Sequence, residues 1–310
     1  MSDKKSRRTI LKMFGYTVLG SGIAALSTSQ YSFRIETRWL QLERVTVPVK
    51  NLGSSFEGFK IALLGDFHLY PHTEIELIRR AVDMANDLKP DLVALLGDYV
   101  LDEADSIFEL APVLARLNAP YGVFSVLGNH DHWKGATIVR RGLEESGLPV
   151  LDNSGLTLSR GKDRIYLAGL GDGWMRRFDL SQALEKQPQD VPTILLIHEP
   201  DFADTFSADS RISLQLSGHS HGGQVRLPGI GAPVLPPYGR KYDQGLYRVQ
   251  DMWLYTNRGI GVTVPPVRFN CRPEVTEMTL VSRPMNTMTF VASATASSSG
   301  SNDDAMSVTS

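Results

Sequence analysis

The chain has 310 residues, 42% of them apolar and 21% charged, a balance that excludes a fibrous or wholly disordered protein and is enough for one large core or two small ones. Of the formal net charge of −2, Lys4, Lys5, Arg7, Arg8 and Lys12 against Asp3 give the first twelve residues +4, so the remainder carries −6. That is a poor match for a nucleic-acid binder, which needs a basic stripe. The single Cys271 excludes an intramolecular disulfide and carries no information on redox compartment.

In chain order, the basic head comes first. It is followed by 21 uncharged residues, Met13 to Phe33, the layout of an export signal. Within it "SRRTILK", Ser6 to Lys12, resembles the twin-arginine pattern, which implies the export machinery that carries folded proteins. The segment predicts either cleavage before Gln30 or retention as a membrane anchor, since about 20 apolar residues suffice to span a bilayer. Residues 1–35 are therefore assigned to a signal or anchor and 36–285 to one globular domain. Residues 286–310, rich in Ser, Thr and Ala, form a tail with too little apolar surface to order.

Between the ends, "FKIALLG" (Phe59 to Gly65), "DLVALLG" (Asp91 to Gly97), "YGVFSVLG" (Tyr121 to Gly128), "TILLI" (Thr193 to Ile197) and "ISLQLSG" (Ile212 to Gly218) read as buried strands. Ile75, Ile78, Val82 and Ala85 form one helical face; Ile107, Leu110, Leu114 and Leu117 form another. This alternation predicts an α/β fold with a largely parallel sheet. "GQVRLP", "GLYRVQ", "MWLYTN" and "EVTEMTL", with no helical period between them, predict an antiparallel or mixed second sheet.

Each of the five runs is followed at once by a potential metal ligand: Asp66 and His68, Asp98, Asn129 and His130, His198, then His219 and His221. The carboxyl ends of parallel strands share one edge, where ligands bind, so these groups are expected to converge. In "DFH" and "HSH" the pairs stand at i and i+2, on one face if the backbone is extended. Five of the chain's seven histidines belong to this set; His72 and His132 are read as surface or peripheral. Leaving such groups buried and unpartnered would cost roughly 1 to 3 kcal/mol each.

The ordered series D-x-H at Asp66, G-D at Asp98, G-N-H-D at Gly128 to Asp131, His198, and G-H-x-H at Gly218 to His221 resembles the calcineurin-like metallophosphoesterases. "GHSHGGQVRLP" and "RFNCRPEV" are similar to an exported branch of that family acting on phosphodiesters. The resemblance implies a four-layer α/β/β/α sandwich of two mixed sheets flanked by helices, with a dinuclear site at the strand ends. It places Asp66, His68, Asp98 and His221 on one ion and Asp98, Asn129, His198 and His219 on the other. Donors without thiolate suit Mn, Fe, Zn or Ni. Two ions about 3.5 to 4 Å apart make hydroxide at neutral pH and hold the nonbridging oxygens of a phosphoester. His130 is then the proton donor to the leaving oxygen, with Asp131 orienting or stabilising its imidazolium. Arg258 and Arg268 are candidates for contact with a phosphate or headgroup, along with Arg240 and Lys241. The expected substrate is a small, lipid-linked or cell-envelope phosphodiester, and the expected location the periplasm, the cell envelope or the outer face of the cytoplasmic membrane. A phosphomonoesterase of the same fold, and an envelope protein that binds metal without catalysis, are the alternatives.

Overall fold

Strands buried on both faces lose the alternation that marks a half-exposed sheet, and that is the case here for β2 (Phe59–Leu64), β3 (Leu92–Leu95), β7 (Thr193–Leu196) and β8 (Ile212–Ser217), in which Lys60 alone is not buried. The computed structural model describes residues 26–282 and the isolated positions Lys12, Phe14 and Tyr16. The basic head with Arg7 and Arg8, and the tail from Asn286, lie outside the described residues. No helix among the described residues is long and apolar enough to cross a membrane.

The first sheet adds β1 (Gln41–Pro48), β4 (Val123–Ser125) and β11 (Glu274–Val281), in the order β1-β11-β2-β3-β4. In it β2, β3 and β4 are parallel, β11 runs antiparallel to β2, and β1 is parallel to β11. The second sheet adds β5 (Ser154–Arg160), β6 (Asp163–Gly169), β9 (Gly245–Val249) and β10 (Met252–Thr256), in the order β5-β6-β7-β8-β10-β9. Its four central strands are parallel and its edges antiparallel. Both sheets are mixed.

Ile61, Leu63 and Phe124 of the first sheet pack against Ile194, Leu196, Leu214 and Leu216 of the second, forming the inter-sheet core. On the outer face of the first sheet Ala62, Leu64, Val93 and Leu95 meet α1 (Ile75–Asp87), α2 (Ile107–Leu114) and α3 (Asn129–Glu145). The short α4 (Leu180–Ala183) and α5 (Ala203–Phe206) lie over the outer face of the second. Each fully buried Leu or Ile contributes about 1.5 to 3 kcal/mol, and the sum fixes the four layers α/β/β/α.

Three strand expectations need correction. The five apolar runs do not share one sheet: three end in the first and two in the second, and the carboxyl edges of both sheets meet. "EVTEMTL" leaves the second sheet and inserts between β1 and β2, because its faces bury into different cores, Val275 toward the helices and Met278 and Leu280 between the sheets. "GQVRLP" forms no strand; Val225 and Leu227 make isolated bridges to Phe269 and Gly231.

Candidate metal centre

Every strand that feeds the site stops at a glycine or just short of the donor residue, and the backbone then turns sharply. Asp66, His68, Asp98, His219 and His221 all have φ between 43° and 71°. Left-handed backbone costs a non-glycine residue roughly 1 to 2 kcal/mol, and strain of this kind persists where the surroundings over-determine it, most often at functional sites. The i, i+2 pairs therefore converge through left-handed turns and not through an extended face. Glycine permits the close approach: a Cβ at Gly218 would lie 2.4 Å from Asp66 Oδ2, and one at Gly128 would lie 2.3 Å from Asp98 Oδ1.

The turns gather the donors of both sheets. Asp98 Oδ2 lies 3.1 Å from His198 Nε2 and 3.4 Å from His68 Nε2; Asp66 Oδ1 lies 3.3 Å from His221 Nε2 and 3.9 Å from His198 Nε2. His68 Nε2 and His221 Nε2 are 2.9 Å apart. Three overlapping groups have donor atoms within 4.8 Å of one another: Asp66, His68 and His221; His68, Asp98 and His130; Asp98, His198 and His219. Asp98 belongs to two of them.

The surrounding hydrogen bonds set the tautomers. His198 Nδ1 donates to the Leu96 carbonyl at 2.6 Å and His219 Nε2 to the Pro237 carbonyl at 2.8 Å. In the neutral ring the opposite nitrogen then carries the lone pair a cation needs. Asn129 Oδ1 and His130 Nδ1 are buried with no hydrogen-bond partner, a cost of about 1 to 3 kcal/mol each unless a ligand satisfies them. Burial pushes His68 well below the usual imidazole range against the charge of Asp98, and burial with His198 nearby takes His219 down to about 4. Burial opposes ionisation of Asp98 and Asp66, yet the neighbouring imidazoles hold both below the ordinary carboxylate value. Imidazole nitrogens, ionised carboxylates and one amide oxygen fit divalent cations of the Mn, Fe, Zn and Ni kind. Cys271 stays outside the set, its Sγ donating to the His221 carbonyl at 3.2 Å.

His130 stands at the edge of the cluster. Its amide donates to Asp98 Oδ1 at 2.9 Å, and its ring packs against His68 and Trp133 with centroids 4.7 and 4.9 Å away. Asp131 does not orient that ring. Its carboxylate, at the third position of α3, folds back to accept the amides of Gly128 and Asp98 at 2.9 Å and Tyr99 at 2.8 Å, pinning the two turns that carry Asp98 and Asn129. Burial and the Asp98 charge push Asp131 up to about 7.

Arg258 and Arg268 are likewise not available to a phosphate. Arg268 is fully buried and donates to the carbonyls of Cys271, Arg258, Gly259 and Gly261 at 2.7 to 3.2 Å. Arg258 pairs with Glu43 at 2.6 Å and Glu274 at 2.7 Å. Residues after a ligand motif are near it in sequence, but loop charge alone does not reveal a buried partner. Arg240 is held through its amide by Asp201 at 2.9 Å, and Lys241 pairs with Asp204 at 2.7 Å.

The sequence reasoning missed the supports of Trp174. Glu199, beside His198, accepts the amides of Gly173 at 3.0 Å and Trp174 at 3.2 Å. Burial pushes Glu199 up to about 8. Trp174 thus packs edge-on against Trp133, His219 and Tyr238 at 5.1 to 5.9 Å between centroids. A glutamate directly after a ligand histidine is the signal the sequence offers.

A sandwich that brings carboxylate, imidazole and amide donors together at the meeting edge of two sheets defines a metallophosphoesterase. The chain belongs to the calcineurin-like phosphoesterases, whose family model matches residues 59–223. It is 36% identical over 285 residues to a Bacillus subtilis (strain 168) protein named uncharacterized metallophosphoesterase YkuE, covering 90% of this chain and 99% of that one. It is 32% identical over 280 residues to phosphodiesterase YaeI of Escherichia coli (strain K12), covering 89% and 99%. A Danio rerio transmembrane protein with metallophosphoesterase domain is 32% identical over 252 residues, covering 76% of this chain and 56% of that protein.

Proposed function

We propose that the protein is an exported phosphodiesterase that hydrolyses small or lipid-linked phosphodiesters with two metal ions. The observation that carries the catalytic reading is the position of Asp98, whose carboxylate lies within reach of both histidine groups. Asp66, His68, Asp98 and His221 would hold one ion, and Asp98, Asn129, His198 and His219 the other. When bound, such a pair supplies Lewis acidity and lowers the pKa of water to near neutrality. His198 and His219 are held by the Leu96 and Pro237 carbonyls with their free nitrogens turned inward. Asp131 keeps the Asp98 and Asn129 turns in register. His130 Nδ1 is buried, leaving Nε2 to carry a proton to the departing oxygen.

The preference for diesters is supported by the name of the Escherichia coli relative, a phosphodiesterase. Export rests on the paired Arg7 and Arg8 ahead of an uncharged stretch and places the enzyme in the cell envelope. Turnover of bis(4-nitrophenyl) phosphate and 4-nitrophenyl phosphate by the manganese-loaded protein tests the chemistry. The diester should be preferred, Asp98→Ala should abolish turnover, and His130→Ala should lose about 10² to 10⁴ in rate on a poor leaving group, and less on nitrophenolate. Equal turnover by all three proteins would remove the enzyme.

A further inference from the structure

Beside the donor cluster the surface sinks into a cavity of about 610 Å³, within the range of small-molecule sites. Its floor includes Asp98, Asn129, His130 and His219. One wall is Trp133 and Trp174; the other is two proline-rich segments, "PVLPP" at 233–237 and "TVPPV" at 263–267, of which all but Pro266 reach the cavity. Among the described residues that line it, Asp98 is the one acid, and there is no Lys, Arg or Glu. Nothing in the walls would grip the charges of a nucleotide or a sugar phosphate. Trp133 and Trp174 stand nearly perpendicular, at 86°, so they offer no parallel slot for a base.

The apolar surface continues out of the cavity. Val234 and Val264 are each 75% exposed at its lip, the kind of feature that marks an interaction site when it is contiguous. The uncharged stretch ending at Phe33 joins the domain on the same side. The Ser32 carbonyl accepts the Arg268 amide at 3.0 Å, next to the 263–267 segment, and Phe33 shares a cleft with Pro266.

We propose that this groove is an alkyl-chain subsite and that the substrate is an amphiphilic phosphodiester drawn from a lipid layer. The phosphate sits on the donor cluster and the chain lies between the tryptophans and the two proline-rich segments, with Val234 and Val264 at the lipid. Water adds its oxygen to phosphorus and releases a proton to solvent, one P–O bond breaks, and the departing oxygen leaves as an alcohol with a proton from His130, which regains one from solvent. The assignment rests on the phosphoesterase reading but makes a separate demand, that apolar length improves recognition.

Alkyl 4-nitrophenyl phosphodiesters with methyl, butyl and hexyl chains, given to the full chain loaded with manganese, measure that demand. The kcat/KM should climb by about fourfold for each methylene that enters the groove. In Val234→Asp and Val264→Asp, whose side chains stand in solvent and leave the core untouched, the climb should flatten. A second arm needs no turnover: titration of tryptophan fluorescence with hexylphosphocholine against phosphocholine should show binding of the first at concentrations where the second gives none. A flat or falling chain-length series with the methyl ester still hydrolysed, or better turnover of a nucleoside diester, overturns the groove and leaves the phosphoesterase. Chain-dependent binding with no diester hydrolysed overturns the phosphoesterase and upholds the groove.

Discussion

Asp131 and His130 are neighbours with separable tasks. Asp131 receives main-chain amides on both oxygens, so Asp131→Asn sets an NH2 group against an N–H and leaves donors unmatched. We expect a loss of about 1 to 3 kcal/mol, a fall in Tm of about 2 to 4 °C per kcal/mol for a domain of this size, read by thermal unfolding. His130→Ala should leave Tm nearly unchanged while the rate falls. His198 supplies the pH dependence. Burial disfavours its charge, but Asp98 raises its pKa well above the ordinary value. A group raised in this way stabilises the metal-free fold below about pH 6.5, and that contribution is lost as pH rises through the folded value. A cation needs the lone pair on Nε2, so metal uptake at pH 7 should release a proton and affinity should climb with pH. Acidification of a weakly buffered metal titration checks this, and His198→Gln should release about one proton fewer. The donor residue types were legible in the sequence because five apolar runs end on them. The tasks of Asp131, Arg258 and Arg268 were not, because a charged residue's partner depends on which distant backbone folds beside it.

The elements that matter most are the strand-end turns. In Gly218→Ala the new Cβ would meet Asp66 Oδ2 at 2.4 Å, closer than the pair can stand, so Asp66 or the β8 turn must move. Metal content, measured by elemental analysis, should fall together with Tm. Gly147→Ala is the comparison, since its Cβ would meet nothing within 4 Å although its φ of 79° still costs backbone strain; it should lose stability but keep its metal. Strands β2, β3, β7 and β8 were legible from apolar runs bounded by glycine or a polar cluster. The left-handed turns were not, since residue type at Asp66, His68 or His221 does not announce φ. The place of β11 was also hidden: its position between β1 and β2 depends on Val275 and Met278 meeting different cores.

At the scale of the whole molecule, neither sheet contains the site. Asp66, Asp98 and Asn129 come from the first sheet, His198, His219 and His221 from the second, and the inter-sheet core of Ile61, Leu63, Ile194 and Leu216 sets their separation. Sequence order made the family resemblance and the donor list readable, whereas the apolar cavity was not, because its walls join residues 133, 174, 234 and 264 from four distant parts of the chain. Metal bound at this seam ties the two sheets together, so it should stabilise the fold by mass action, and a chelator should lower Tm. The central claim is that Asp98 serves two cations at once, and the direct measurement is the metal content of wild type and Asp98→Ala after saturation with manganese and desalting. Two ions per wild-type chain and loss of both in the variant are predicted; a single ion in wild type, or two retained without the Asp98 carboxylate, would contradict the account.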